Sequence, residues 1–205
     1  PQEPMQQPQI GLTLAAPYPL NLTGTLTMTF NSDVFSNDPS VQFALGGRTV
    51  NFTIPANTTK AVFPQGATQV KLQTGTLAGT ITITPSFATD AGINLTPTNP
   101  PALNLVVPQS APRLLSVELS AKTANSITLL VRGYATSRAV TQMVFQFTPT
   151  SGENLATTRL TLNVEPNFLA WFQSTQSAQY GSLFTATVPF TLAGDVKTVT
   201  SLADT

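Results

Sequence analysis

Threonine stands at alternate positions in two stretches of the chain, LTGTLTMTF (22–30) and TITIT (80–84), the second inside LQTGTLAGTITITP (72–85). Alternate residues of a strand share one face of a sheet, so each row would present hydroxyl groups on one side. A flat array of this kind can bind ice or carbohydrate, whereas on a twisted sheet it is only a solvent-facing side. The matching segment of the second half, TLLVRGY (128–134), lacks the row, which favours the solvent-facing interpretation.

Acidic residues suggest a second kind of site. NSDVFSNDPS (31–40) places Asp33 and Asp38 in one loop with the amide, hydroxyl and carbonyl oxygens that Ca²⁺ prefers. The loop lacks the D-x-D-x-D-G spacing of a calcium loop, and Asp, Asn, Ser and Pro are ordinary turn residues. The two aspartates are therefore weak calcium candidates, and we expect no metal ion or other cofactor.

Catalytic chemistry has few residues to work with. The chain contains no Cys and no His, which excludes thiolate and imidazole catalysis and a typical zinc site. Glu118, Glu153 and Glu165 could in principle supply the paired carboxylates of a glycoside hydrolase, but they fall in different predicted elements. The sequence therefore predicts a protein that is not an enzyme.

Five aromatic residues fall close together in the second half, and they include the only Trp of the chain. One interpretation is a sugar-stacking platform made by Trp171 and Tyr180. The alternative is that Trp171 and Phe172 help to fill the core beneath a loop that crosses between two sheets. Val62 and Phe63 take the equivalent places in the first half. Apolar residues of different size at equivalent positions favour the core. The five aromatic residues are Phe168, Trp171, Phe172, Tyr180 and Phe184.

Charge and hydrophobicity limit the classes of partner. Lys and Arg number nine, Asp and Glu number nine, and only 9% of residues are charged, against about 25% in an average soluble domain. The scattered basic residues do not form the positive patch expected of a nucleic-acid or anionic-lipid binder. No apolar run approaches the roughly 18 residues of a membrane-spanning helix, so we expect no membrane insertion in this segment.

The elements that must position these residues are short alternating runs separated by Gly, Pro, Asn, Asp and Ser, which is typical of antiparallel β-sandwiches. PQEPMQQPQ (1–9) predicts an extended linker, and VPQSAPR (107–113) contains a Pro-marked joint. VKTVTSLADT (196–205) stops where a closing strand should still run, so the last strand should be incomplete. The predicted organisation is a linker at 1–9, a first domain at 10–107, a joint at 108–112 and a second domain at 113–205.

Three pairs of segments recur in the same order, 106 to 110 residues apart, which predicts a tandem duplication of one module. Aligning GTLAGTITIT with GSLFTATVP requires one extra residue, Gly79, in the first copy. A single inserted Gly that changes the parity of a strand predicts a β-bulge at Ala78–Gly79. The pairs are TVNFTIP (49–55) with RLTLNVEP (159–166), KAVFPQG (60–66) with LAWFQST (169–175), and QTGTL (73–77) with QYGSL (179–183).

This pattern of Thr-rich strands, paired QTGTL and QYGSL segments and a Pro-marked joint resembles the tandem Ig-like or fibronectin type III-like repeats of large exported bacterial proteins. The resemblance implies an all-β fold of two tandem Ig-like (fibronectin III-like) antiparallel β-sandwich domains. It also implies a non-catalytic spacer or adhesion module, secreted or on the cell surface. Its partners would be neighbouring domains of the same polypeptide, another surface protein or a polysaccharide. The alternative is a carbohydrate-binding accessory module that uses Trp171 and Tyr180.

Overall fold

The chain forms two compact units, residues 1–109 and residues 110–205. The computed structural model describes residues 1–149, 151–152, 155–191 and 199–203, the last five by their backbone alone. The boundary between Gln109 and Ser110 lies within the segment predicted as a joint. Both units are built from antiparallel sheets, which confirms the all-β class.

The strands of unit 1, residues 1–109, are β1 (Gln9–Ile10), β2 (Leu22–Ser32), β3 (Gln42–Phe43), β4 (Thr49–Ile54), β5 (Val70–Gln73), β6 (Gly79–Thr89) and β7 (Leu103–Val107). They form a four-stranded sheet in the order β4-β2-β6-β7 and a three-stranded sheet in the order β1-β5-β3. A 3-10 turn at Pro64–Gly66 precedes β5.

The two long strands β2 and β6 form the centre of unit 1. They pair antiparallel along their full length, from Leu22 opposite Thr89 to Ser32 opposite Gly79. Because side chains alternate between the two faces, this pairing puts most apolar residues of both strands on one side and the two threonine rows, 23–29 and 80–84, on the other. Thr89, at the end of β6, is buried on the apolar side. The apolar side packs with residues of the second sheet in one core, which includes Leu26, Met28, Phe43, Leu72, Ile81 and Ile83.

The strands of unit 2, residues 110–205, are β8 (Arg113–Lys122), β9 (Ser126–Tyr134), β10 (Gln142–Pro149), β11 (Arg159–Asn163), β12 (Leu183–Thr191) and β13 (Val199–Ala203). They form two three-stranded sheets, in the orders β12-β9-β8 and β11-β10-β13. A separate core lies between the sheets and is rich in phenylalanine: Phe145 and Phe147 each pack edge-on against Phe190. The prediction of an incomplete last strand falls partly on residues outside the described ranges.

A helix in unit 2, α1 (Glu165–Gln173), was not predicted from the sequence. Pro166 occupies its first turn, where a missing N–H costs nothing. Phe168 and Phe172, four residues apart, share one face of the helix and are its buried residues, and Phe168 packs edge-on against Phe184 of β12. A short 3-10 segment, Gln176–Tyr180, follows the helix and leads into β12.

Residues 1–9, predicted as a linker, instead belong to unit 1 and are hydrogen-bonded along it. The Gln2 N–H donates to the Val106 carbonyl over 2.7 Å, and the Met5 N–H donates to the Gly75 carbonyl over 2.7 Å. At the end of the segment, Gln9 and Ile10 form β1 against β5. The segment turns at Pro4–Met5, where Met5 has a φ of 61°, and it covers part of the domain.

The predicted duplication is matched at only one of its three pairs. β4 pairs with β2, whereas its sequence counterpart β11 pairs with β10, so the two strands have different neighbours. The second pair is a bridge and a 3-10 turn in unit 1 but the end of α1 in unit 2. The third pair agrees at two positions: Gly75 and Gly181 both have positive φ, 71° and 61°, and the hydroxyl residue after each is buried. The residues before the glycines differ, because Gln73 ends β5 whereas Gln179 and Tyr180 lie in a 3-10 segment.

The predicted β-bulge at Ala78–Gly79 is wrong. The register of β6 against β2 is continuous from Gly79 to Thr89, and the Asp33 N–H donates to the Ala78 carbonyl in the same register. Gly79 is instead required by a close approach of two backbones. A Cβ on this residue would lie 2.4 Å from the Asn31 carbonyl oxygen and 2.9 Å from the Ser32 Cα.

Gly79→Ala should lower the free energy of unfolding of unit 1 by about 3 kcal/mol, because the atoms it would strike are backbone atoms held by the sheet. Gly92→Ala is the matched control: Gly92 also has a positive φ, 81°, but nothing lies within 4 Å of its Cβ position. It should cost about 1 kcal/mol. Urea unfolding of both variants measures the difference, and equal losses would contradict the close approach at Gly79.

Candidate functional site

The outward side chains of β4, β2, β6 and β7 form one neutral polar surface, which we call the hydroxyl face. The register places threonines in rows across the strands: Thr27 lies opposite Thr49 on one side and Thr84 on the other. Thus the two threonine rows of the sequence are adjacent and aligned. The outward residues are Thr23, Thr25, Thr27, Thr29 and Asn31 of β2, Thr49, Asn51 and Thr53 of β4, Thr80, Thr82, Thr84, Ser86 and Ala88 of β6, and Asn104 and Val106 of β7.

Hydrogen bonds between strands order part of the hydroxyl face. The Thr25 hydroxyl donates to Asn51 Oδ1 over 3.0 Å, and the Thr82 hydroxyl donates to Asn104 Oδ1 over 2.9 Å. These two hydrogen bonds could not be predicted from the sequence, because each asparagine stands opposite a threonine only after the strands have paired. The outward positions of these four strands carry no charged residue. The surface therefore offers neutral donors and acceptors.

At one end of the hydroxyl face lies an open groove of about 700 Å³. Its polar walls come from β2, β4 and the start of the loop after β6, where Asn94 bridges to Ala88. Thr96 fixes that loop, because its hydroxyl accepts from the Phe87 N–H over 2.9 Å and donates to the Phe87 carbonyl over 3.2 Å. The lining comprises Thr23, Gly24, Thr25, Asn51, Phe52, Thr53, Ser86, Phe87, Ala88, Asn94 and Thr96.

The first half of the stretch LQTGTLAGTITITP is buried and lies outside the hydroxyl face. Residues 74–79 are buried without interruption. The Thr74 hydroxyl donates to the Glu3 carbonyl over 2.9 Å and accepts from the Gln6 N–H over 3.0 Å. Thr74 thus ties the N-terminal segment to the unit, and the threonines of one stretch have two separate roles.

The carboxylate of Asp38 holds the other side of this buried run. Asp38 is 0% exposed. Its Oδ2 accepts from the Thr76 N–H over 2.6 Å, from the Thr76 hydroxyl over 3.0 Å and from the Leu77 N–H over 3.2 Å. Its Oδ1 accepts from the Ser40 N–H over 3.0 Å and from the Ser40 hydroxyl. A buried carboxylate needs this many donors, because its transfer from water is otherwise very costly.

Gly75 makes room for this carboxylate. A Cβ on Gly75 would lie 2.6 Å from Asp38 Oδ2, and its φ of 71° is one that other residues rarely adopt. Asp33, the second calcium candidate, lies apart on the exposed side of the same loop. The structure therefore does not bring the two carboxylates to one site; Asp38 anchors the loop to residues 74–79.

Arg138 has the corresponding role in unit 2, and no motif in the sequence marks it. Its guanidinium donates to the Gly181 carbonyl over 2.5 Å, to the Ser177 hydroxyl over 2.6 Å and to the Phe172 carbonyl. It also stacks over the Phe172 ring, 5.0 Å from the centroid. One side chain therefore joins the loop after β9 to α1, to the 3-10 segment and to the start of β12.

Trp171 and Tyr180 lie side by side, with ring centroids 6.1 Å apart and an interplanar angle of 32°. Trp171 is partly buried against the core of unit 2, and its indole N–H donates to the Leu183 carbonyl over 3.2 Å. Tyr180 is 46% exposed. The pair thus combines a packed, hydrogen-bonded indole with a solvent-facing phenol ring. The other three aromatic residues of the cluster, Phe168, Phe172 and Phe184, are buried.

The glutamates that could have formed a catalytic pair lie in different surroundings. Glu118 forms an exposed ion pair with Arg132 across β8 and β9, at 2.5 Å. Glu165 begins α1, and Glu153 lies outside the described residues. Within the described part of the chain, no three His, Cys, Asp or Glu side chains group together, and no helix has the length and apolar character needed to span a membrane.

The outer strand of one sheet in unit 2, β8, exposes several leucines. Leu119 is 57% exposed and Leu115 is 50% exposed. The register of β8 against β9 shifts twice, between Leu114 and Ser116 and between Leu119 and Ala121. Bulges on an edge strand oppose the addition of a further strand, so this edge is poorly suited to strand pairing with a partner.

Comparison of the chain with models of known protein families, with curated proteins and with solved structures found no match. The polar residues described above fall into two groups. Asp38 and Arg138 bind groups of their own units, whereas the hydroxyl face and its groove are open to solvent.

Asp38→Asn should lower the free energy of unfolding of unit 1 by about 3 kcal/mol. The amide carries no charge, and its NH2 group replaces a carboxylate oxygen that accepts hydrogen bonds from buried N–H donors. The control is Asp33→Asn, the same change in the same loop at an exposed carboxylate, which should cost less than about 0.5 kcal/mol. Thermal unfolding by calorimetry measures both. Equal stability of the two variants would contradict the anchoring role of Asp38.

Arg138→Lys should destabilise unit 2 by about 2 kcal/mol, because an ammonium group cannot reproduce the planar fork or its stacking on Phe172. Arg132→Lys makes the same replacement at the exposed ion pair with Glu118 and should change stability by less than about 1 kcal/mol. Chemical denaturation followed by Trp171 fluorescence reports on unit 2 directly. An Arg138→Lys variant as stable as Arg132→Lys would show that the guanidinium contacts contribute little.

Proposed function

We propose that this chain is a non-catalytic structural and adhesion module of a larger exported bacterial protein. The supporting observation is that its two β units have separate hydrophobic cores, one formed by residues 10–83 and one by residues 127–190. Units with independent cores can be placed in series without sharing a folding transition. Such a series acts as a spacer that holds other parts of a polypeptide at a distance.

The proposal includes kinship with tandem Ig-like or fibronectin type III-like repeats. Unit 2 supports it through its strand order, since β8, β9 and β12 lie side by side as strands A, B and E do in an Ig-like sandwich. β10 and β13 pair in the opposite sheet, as strands C and F do. Unit 1 departs from this arrangement, because β4 occupies the position beside β2 that β8 has beside β9 in unit 2.

Two charged side chains that bind groups of their own unit support a structural role. Asp38 and Arg138 direct their charges to main-chain groups and hydroxyls of their own units, which fixes loops to strands. A catalytic carboxylate or guanidinium needs access to a substrate, whereas these two groups are already hydrogen-bonded within the protein. The hydroxyl face of unit 1 is neutral and rich in hydroxyl groups, which suits a contact surface better than a reaction site.

The location proposed with this function is extracytoplasmic, either secreted or on the cell surface. The proposed partners are neighbouring domains of the same polypeptide and a surface protein or polysaccharide. A second candidate is a carbohydrate-binding accessory module that uses Trp171 and Tyr180. It is favoured by the exposed ring of Tyr180 beside the indole, which together present aromatic surface next to α1.

Stretching single molecules from their two termini should give two separate unfolding events, one for each unit, with extensions of roughly 3.6 Å per released residue. Asp38→Asn should lower the force of one event and Arg138→Lys the force of the other, because each substitution weakens one unit. A single unfolding event, or a substitution that weakens both events equally, would contradict the modular spacer.

A further inference from the structure

We propose that the groove on the hydroxyl face of unit 1 binds a neutral polysaccharide chain. The inference deepens the adhesion part of the proposed function and rests on it. It assigns a ligand class to a site in unit 1, whereas the aromatic pair of Trp171 and Tyr180 belongs to unit 2. At about 700 Å³ the groove lies within the usual range for ligand sites, roughly 300–1,000 Å³.

The walls of the groove match hydroxyl-bearing ligands in chemistry. Threonine and serine hydroxyls both donate and accept, and asparagine amides supply both functions in a fixed plane. Because the Thr25 hydroxyl donates to Asn51 Oδ1, Asn51 presents its amide N–H groups as donors and Thr25 its oxygen lone pairs as acceptors. Adjacent donors and acceptors of this kind complement the vicinal hydroxyls of a sugar.

The absence of charge from the lining of this groove selects a neutral ligand. A carboxylated or sulfated polysaccharide would lose water around its anionic groups without gaining a cation there, which is unfavourable. A neutral chain exchanges hydrogen bonds to water for hydrogen bonds of similar strength to the wall. The groove is therefore expected to discriminate against acidic polymers of the same backbone length.

Gly24 and Phe52 line the base of the groove but stand at inward positions of their strands. Phe52 packs in the core of unit 1 and is only 2% exposed, so the contacts open to a ligand are those of the polar walls. A Cβ on Gly24 would lie 2.4 Å from the Phe52 ring, so glycine lets β2 and this ring pack closely beneath the groove.

The positions are also set before a ligand arrives. Each wall residue stands on a strand or on the segment that Thr96 ties to β6 through both main-chain groups of Phe87. Side chains held on paired strands lose little freedom on binding, which limits the entropic cost. An extended peptide, in contrast, binds mainly through main-chain groups at a sheet edge, and this groove lies on a face.

The test is affinity electrophoresis of the full chain in gels that contain dextran, mannan, laminarin or hydroxyethylcellulose, with alginate as the acidic polymer. We expect retardation by at least one neutral polymer and none by alginate. Thr23→Val with Thr53→Val removes two groove hydroxyls that lie opposite each other and should raise the Kd about tenfold. Valine keeps the shape and strand preference of threonine, so the fold is retained.

The matched control is Thr27→Val with Thr49→Val, which removes an opposite pair of hydroxyls from the same two strands outside the groove. This variant should bind as the unmodified chain does. Three results would overturn the proposal: no retardation by any of the four neutral polymers, equal loss of binding in both double variants, or loss of binding in Tyr180→Ala. The two unfolding events expected on stretching do not depend on these outcomes, so failure here leaves the structural role standing.

Discussion

The antiparallel pairing of β2 with β6 is the constraint on which unit 1 depends. Both strands are 11 residues long and pair from end to end, so one register decides the facing of every side chain along them. With Met28 opposite Ile83, the apolar residues enter the core and the threonines face solvent. A slip of one residue would exchange the two sets, and no sheet could bury those threonines without large cost. The hydroxyl face is thus a consequence of core formation.

Each unit uses one charged side chain to fix the turn that leads into one of its long strands, β6 in unit 1 and β12 in unit 2. In unit 1 the anionic group of Asp38 accepts hydrogen bonds from the N–H groups of Thr76 and Leu77, just before β6. In unit 2 the cationic group of Arg138 donates to the carbonyl of Gly181, just before β12. Both turns contain a glycine with positive φ, so their main-chain groups point toward the charge. The two units thus fix the turns before β6 and β12 with side chains of opposite charge.

The sequence predicted the strands well because alternation is a local signal. The rows of threonines in LTGTLTMTF and TITIT lie in β2 and β6. The helix α1 was not predicted, although Pro166 and the spacing of Phe168 and Phe172 are compatible with a helix. The reason is that LAWFQST was aligned with KAVFPQG, a segment expected to be part of a β domain. The role of Asp38 could not be predicted, since its partner Thr76 lies 38 residues away. The prediction of a bulge at Gly79 failed for a related reason. Glycine is required there by the close approach of the β2 backbone, and an alignment of the two halves carries no information about that contact.

In unit 1, threonines that are close in sequence have different roles, since those at 74–76 are buried and those at 80–84 face outward. The buried run at residues 74–79 is enclosed by the N-terminal segment, through Thr74, and by the Asp38 loop, so its polar groups are satisfied within the unit. The strand that follows this run then presents its threonines outward, beside those of β2. Hydroxyl groups a few residues apart therefore serve the interior in one place and the surface in the next.

The register of β2 against β6 is tested most directly by cross-strand nuclear Overhauser effects in the isotopically labelled chain. Antiparallel strands bring Hα atoms together at pairs that exchange no hydrogen bond. The structure makes Met28 with Ile83, and Phe30 with Ile81, such pairs. Strong Hα–Hα contacts at both pairs are the predicted result. Contacts displaced by one residue, such as Met28 with Thr82 or Thr84, would turn the threonines inward and contradict both the core and the hydroxyl face.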